Sequence, residues 1–262
     1  VRYSGVPSTK SAYGFTTWHR TPDGAVAADE PESAWRWFPS NDHPSDKATY
    51  DVSVSVPKGT RAISNGALRS VSSKRGWTEY SWRQDRPQAT YLATLALGRF
   101  DITTSRSGRG VPVINAYSAD LGANDAAARA SVERTGEIVD WLSNYFGPYP
   151  FATAGGYVPN TTTGYALETQ TRVYYSPKQF AKGANPSVVV HELAHQWYGD
   201  DVSLKGWKDI WLNEGFATYA QWLWSEHEGQ GTTRQLADQV YSAHPADDPF
   251  WKVAPGDPGP DD

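Results

Sequence analysis

His191-Glu192-Leu193-Ala194-His195-Gln196-Trp197-Tyr198-Gly199-Asp200, read with Trp211-Leu212-Asn213-Glu214-Gly215-Phe216-Ala217 downstream, is the stretch from which the whole chain can be interpreted. The first segment matches H-E-x-x-H. On a helix, His191 and His195 stand one turn apart on one face with Cβ atoms about 5–6 Å apart, so both imidazoles can reach one ion. The flanks predict that helix: Asn185 can cap it, Pro186 suits its first turn, and it runs to about Tyr198. Glu192 lies beside the two histidines, where it can take a proton from water. A second helix, from near Asp209 to about Glu228, carries Glu214 close to its start, with 18 residues between it and His195. Two neutral imidazoles and a carboxylate make a three-ligand catalytic zinc site with one open position, here one zinc ion per chain. In such a site the pKa of water falls to about 7. The pentapeptide arises by chance in roughly 0.5 % of shuffled sequences of this composition, and a glutamate at one further position makes the set far rarer, so solvated surface histidines are a poor explanation. His19, His43, His227 and His244 have no such company and read as structural or solvated.

Upstream, residues 1 to about 115 read as β-structure. Tyr50 to Val56 alternates as a half-buried strand does, and Pro57-Lys58-Gly59 breaks it. Asn65-Gly66 is a turn signal. Thr78 to Trp82, Ala89 to Leu97 and Val111 to Tyr117 are further strands. Composition changes near residue 120. Asn124 is a candidate cap for one long helix beginning at Asp125, with Val132, Ile138, Val139, Leu142 and Phe146 as its apolar stripe and Gly147-Pro148 as its end. Gly155 to Tyr175 reads as strands and a loop. From Ala243 onward Pro, Gly and Asp dominate, which predicts an irregular tail. The fold class is α+β, with a β-rich N-terminal domain over residues 1–117 and a catalytic domain over residues 118–262.

The composition narrows the partners. Net charge is −5 and no basic run exceeds two residues, which excludes nucleic acid and an anionic membrane surface. No apolar run approaches the roughly 20 residues of a membrane-spanning helix. With no cysteine, disulfides and zinc–thiolate sites are excluded. No methionine and no signal-like start are present, so the chain reads as a piece of a longer precursor, and a secreted or extracellular protein is the expectation, with the cytoplasm left open. The 12 Trp, 15 Tyr and 8 Phe can fill a core or line a substrate cleft.

The two zinc segments together resemble the gluzincin metallopeptidases and, within them, the M1 aminopeptidase family. That resemblance implies a partial β-sandwich-like domain followed by a partial thermolysin-like zinc-peptidase domain. It also implies a G-x-M-E-N strand whose Glu grips the substrate's free amine. Tyr165-Ala166-Leu167-Glu168-Thr169 is the comparable stretch, which keeps Glu168 and replaces the first Gly, the Met and the final Asn. A second amine anchor is implied at Glu30, within the similar segment Asp29 to Pro39. Two carboxylates around one ammonium make strong charge-assisted hydrogen bonds. The family's oxyanion-stabilising Tyr, several tens of residues beyond the zinc Glu, has no match: Tyr241 is too near and Tyr219 belongs to the zinc helix, where it should pack. Gly155 to Gly164 is a candidate wall of the first-residue pocket, with core packing the alternative. The implied activity is hydrolysis of the N-terminal peptide bond of a peptide or small aminoacyl substrate. A gluzincin endopeptidase, a catalytically incomplete binding scaffold and hydrolysis of a small non-peptide substrate stand as alternatives. Preferred first residue and oligomeric state are not in the sequence.

Overall fold

The structure, a computed structural model, describes residues 1–7, 9, 16–28 and 30–257. The β-rich half holds β1 (Trp18–Thr21), β2 (Gly24–Ala27), β3 (Ala48–Pro57), β4 (Arg61–Ser64), β5 (Ala67–Lys74), β6 (Trp77–Gln88) and β7 (Leu95–Gly98). β8 (Phe100–Arg106) and β9 (Pro112–Ser118) follow, then α1 (Asp125–Val132) and α2 (Thr135–Phe146). The rest comprises β10 (Gly156–Val158), β11 (Ala166–Leu167), β12 (Val173–Tyr175), α3 (Pro186–Ala194), α4 (Trp211–His227) and α5 (Thr233–Ala243). Strands first and helices later is the α+β order expected. No helix among the described residues is long and apolar enough to cross a membrane.

Among the described residues three sheets form, in the orders β1-β2-β7-β4, β3-β6-β5 and β11-β12-β10-β9-β8. β9, expected to close the N-terminal half, pairs in parallel with β10, so the sheets show no break at residues 117/118. The five-stranded sheet is covered on both faces, and successive residues alternate between two cores. Val113, Tyr117, Val158, Val173 and Tyr175 pack towards the helices, with Ile138, Leu142, Val189, Leu193 and Trp224. Ala116, Tyr157, Leu167 and Tyr174 pack the other way, against Val26, Ile63, Trp82 and Ala96 of the N-terminal sheets. A strand buried on both faces carries no polar alternation. That is why Gly156–Val158 and Val173–Tyr175 gave only a weak strand signal.

Several expected elements differ. Ala89 to Leu97 is not one strand: Thr90–Leu92 make a 3₁₀ turn and only Leu95–Gly98 join a sheet. The helix from Asp125 to Phe146 is broken in two. Thr135 Oγ1 donates to Val132 O (2.6 Å), while the Glu133 carboxylate accepts from Thr103 and Tyr117 across the sheet, at 2.6 and 2.7 Å. Asn124 makes no side-chain cap bond; it closes a preceding 3₁₀ turn, Gly122–Asn124. α5 was not read in the sequence, although Thr232 and Gln235 form a capping box at its start. The tail contains a 3₁₀ turn, Pro249–Lys252, and its last five residues, 258–262, lie outside the described residues. The Asn65-Gly66 turn is as expected. Gly66 has φ +77, and a Cβ there would sit 2.1 Å from Arg83 O.

Candidate active site

α3 begins as its sequence dictates: Asn185 Oδ1 accepts from Val188 N (3.3 Å) and Pro186 occupies the first turn. The helix ends at Ala194, earlier than Tyr198, yet His195 keeps helical backbone angles. Both histidines therefore face the same side, with ring centroids 4.9 Å apart. α4 packs alongside and brings Glu214 against them. Its Oε2 lies 3.1 Å from His191 Nε2 and its Oε1 3.6 Å from His195 Nε2. Ligand atoms around one tetrahedral zinc, with bonds of about 2.0–2.1 Å, sit roughly 3.3 Å from each other, so the three side chains fit that ion.

The ring nitrogens support the fit. Tyr198 O can only accept, so His195 Nδ1, 3.2 Å away, carries a proton. Gln221 Nε2 donates to Ser187 Oγ (3.0 Å), which turns Gln221 Oε1 towards His191 Nδ1 at 2.8 Å. Both Nε2 atoms thus face the Glu214 side, the arrangement that second-shell partners impose on metal-binding histidines. Another trio, Glu137, His227 and Glu228, is exposed. Arg134 donates to both of its carboxylates, at 2.7 and 3.1 Å, which makes it an ion-pair network rather than a metal site.

Glu192 is buried. Burial pushes its carboxyl well above the usual range, His191 opposes the shift, and Glu168 and Glu214 reinforce it. Without an ion, burial lowers the His191 pKa, but hydrogen bonding to Glu214 and the charges of Glu192 and Glu214 outweigh it and lift the value to about 9. For Glu214, burial raises the carboxyl, while the hydrogen bond from His191 and the two histidine charges bring it below its ordinary value. Its side chain stays 47 % exposed, so the site is open to ligand on that side.

Glu168 follows edge strand β11 and is buried, with ligand atoms of Glu168, Glu192 and His195 within 4.8 Å of one another. Glu30 is half-buried and lines the same cleft as Glu214. Asp29, beside it, lies outside the described residues. Between the two expected anchors stands Tyr91, a residue the sequence reading missed. Its hydroxyl donates to Glu168 Oε1 at 3.4 Å. Burial pushes that hydroxyl far up, and Glu168, Glu30 and Asp200 reinforce the shift, so it stays protonated. Tyr91 gave no signal because it sits in an apolar run.

Gln196 was also missed. Its Nε2 donates to Glu168 O (3.0 Å) and its Oε1 accepts from Thr171 N (2.8 Å). It clamps a turn in which Thr171 adopts φ +66, a conformation costly for a β-branched residue. Lys47 Nζ closes the far side by donating to Asp200 O at 2.6 Å. Of the two readings of Gly155–Gly164, core packing holds: no residue of it is among those lining the cleft, Tyr157 and Val158 pack into the two cores, and Thr161 and Thr162 line a separate small cavity. Tyr219, expected to pack, is 47 % exposed, and Tyr241 is exposed beside Trp251.

The pairing of this site with these sheets has known counterparts. Residues 131–248 match the peptidase family M1 domain and residues 8–92 match the peptidase M1 N-terminal domain. The chain belongs to peptidase family M1. Similar M1 relatives include glutamyl aminopeptidase of Sus scrofa, 32 % identical over 229 residues, or 82 % of this chain and 24 % of that protein. Aminopeptidase M1 of Arabidopsis thaliana is 29 % identical over 243 residues, or 84 % of this chain and 27 % of that protein. Among solved structures, an M1 zinc metallopeptidase from Deinococcus radiodurans superposes with TM-score 0.80 at 30 % identity, covering 91 % of this chain and 55 % of that one. A mutant of the Deinococcus enzyme was solved with a Tyr-Ser-Ala substrate bound. The chain thus spans about a quarter of the length of the curated relatives and about half of the solved one.

Proposed function

We propose that this chain carries the catalytic centre of a zinc aminopeptidase, which hydrolyses the peptide bond after the first residue of a peptide or small aminoacyl substrate. The observation that supports this most is the position of Glu168, a buried carboxylate beside Glu192 and His195. A carboxylate is costly to bury without a cation, and the free ammonium of a substrate supplies one.

His191, His195 and Glu214 would hold one zinc ion, which when bound would polarise the scissile carbonyl and supply a nucleophilic water at neutral pH. Glu168 and Glu30 accept hydrogen bonds from the substrate ammonium and so select the first carbonyl. Tyr91 holds Glu168 in place through its protonated hydroxyl. Glu192 takes the proton of the attacking water on its carboxylate and returns it to the leaving amine. Export from the cytoplasm is a separate expectation, which cell fractionation checks.

The test is metal content together with hydrolysis of free-amine and amino-acetylated peptides by the protein at its natural length. One zinc per chain and cleavage confined to free-amine substrates are expected. Glu192→Gln should keep the zinc and lose about 10²–10⁴ in kcat. Internal cleavage of blocked peptides would make the protein an endopeptidase, zinc without turnover would make it a binding scaffold, and no zinc would sink the proposal.

A further inference from the structure

Of the proposed anchors and metal ligands, Glu30 and Glu214 line a cleft of about 1300 Å³, which otherwise extends away from them. Trp207, Ile210 and Trp211, at the start of α4, form one wall, and Phe250, Trp251 and Val253, from the 3₁₀ turn near the end of the described chain, form the other. Leu167, just before Glu168, completes the floor. Trp211, Phe250, Trp251 and Val253 keep 44–50 % of their surface open, so the walls present unburied apolar area to whatever enters. The second wall is braced from behind. Phe250 stacks on His244 at 3.9 Å, and Trp251 Nε1 donates to His244 O at 3.0 Å.

The charges on these walls limit the occupant. Among the described residues lining the cleft, Glu30 and Glu214 are the charged ones, and both are carboxylates. An acidic side chain would need a cation opposite it, and no Lys or Arg lines the wall. A basic side chain would need a carboxylate that the substrate ammonium and the metal have not already engaged.

We propose that this cleft seats the side chain of the substrate's first residue and selects apolar and aromatic side chains over acidic and basic ones. The inference rests on the aminopeptidase reading. It departs from what the names of the glutamyl aminopeptidase relatives suggest, since no Lys or Arg is among the described residues that line the cleft.

The experiment compares kcat/KM for Phe, Leu, Glu and Arg aminoacyl-nitroanilides on the zinc-loaded protein at its natural length. It adds calorimetric binding of phenylalanine amide and glutamic acid 1-amide to the same protein. Phe and Leu should exceed Glu and Arg by about 100-fold, the discrimination expected when a charged group must be buried unpaired. Phenylalanine amide should bind while the glutamic acid amide does not. Val253→Lys places a cation in an exposed part of the wall and should raise kcat/KM for the Glu substrate at least tenfold, which no structural role of Val253 would do. A Glu or Arg substrate within tenfold of Phe in the native protein overturns the inference, as does Val253→Lys without gain on Glu. If no substrate turns over, the aminopeptidase reading fails, and the two amides still decide what the cleft accepts.

Discussion

One ring nitrogen of each metal-site histidine is fixed by an acceptor inside the protein, which leaves the state of the other to the solvent pH. In the ion-free protein Glu214 holds a proton on His191 up to about pH 9. The folded pKa lies above the ordinary 6.5, so the His191–Glu214 attraction stabilises the ion-free fold fully below about pH 6.5 and is lost as pH rises through about 9. Zinc requires the neutral imidazole. At about pH 7.5, binding should therefore release a proton from His191, and affinity should climb with pH and level off near 9. Zinc titrations in buffers of different ionisation enthalpy measure this; an affinity flat from about pH 6.5 to 9 would show that His191 is neutral without the ion. His191, Glu192, His195 and Glu214 were legible in the sequence because their relation is helical periodicity plus one spacing. Tyr91, Gln196 and Gln221 were not, because each acts on a residue that only the folded chain brings near.

Between elements, the important joint is Gln196, which follows the second histidine and grips the turn after Glu168. α3 thereby sets both the metal ligands and the position of the proposed amine anchor. Gln196→Met keeps the volume and removes both hydrogen bonds, leaving Glu168 O and Thr171 N without their partner, at about 1–3 kcal/mol for each buried group. The expected result is retained zinc with KM for free-amine substrates raised more than tenfold and kcat changed less. Equal loss in kcat and zinc content would mean that Gln196 supports α3 itself. Helix starts were easier to read than helix ends. Asn185 and Pro186 announce α3 through local capping chemistry, whereas the break between α1 and α2 comes from Glu133 bonding to Thr103 and Tyr117 on distant strands.

At the scale of the molecule, a buried guanidinium joins the two halves. Arg172 is fully buried and donates to Ile114 O (2.6 Å), Ala154 O (3.0 Å) and, in the N-terminal half, Gly66 O (3.0 Å). Burial lowers its pKa to about 10, which still leaves it charged at neutral pH. Asn65 Nδ2 donates to Gln170 O alongside, at 2.7 Å. Arg172→Met would remove three buried hydrogen bonds, although Ala154 O keeps Ile114 N (3.0 Å), and should cost about 3 kcal/mol or more in urea unfolding. A loss below about 1 kcal/mol would show that the sheets hold together without this tie. The order of strands and helices was readable; the membership of β8 and β9 in the five-stranded sheet was not, since nothing in a strand's own residues names its neighbour.

The seam also divides the labour of the proposed site. The three proposed metal ligands and Glu192 are carried by α3, its C-cap and α4, whereas Glu30 and Tyr91 come from the other half, and Tyr91 bonds Glu168 across the boundary. On the proposed function, holding the ion would fall to one helix pair, and measuring off a single residue from the end of a chain would fall to both halves. The boundary acts as a caliper. Under that proposal, turning one jaw by a few degrees would leave the ion where it is and move the cut to a different place along the peptide.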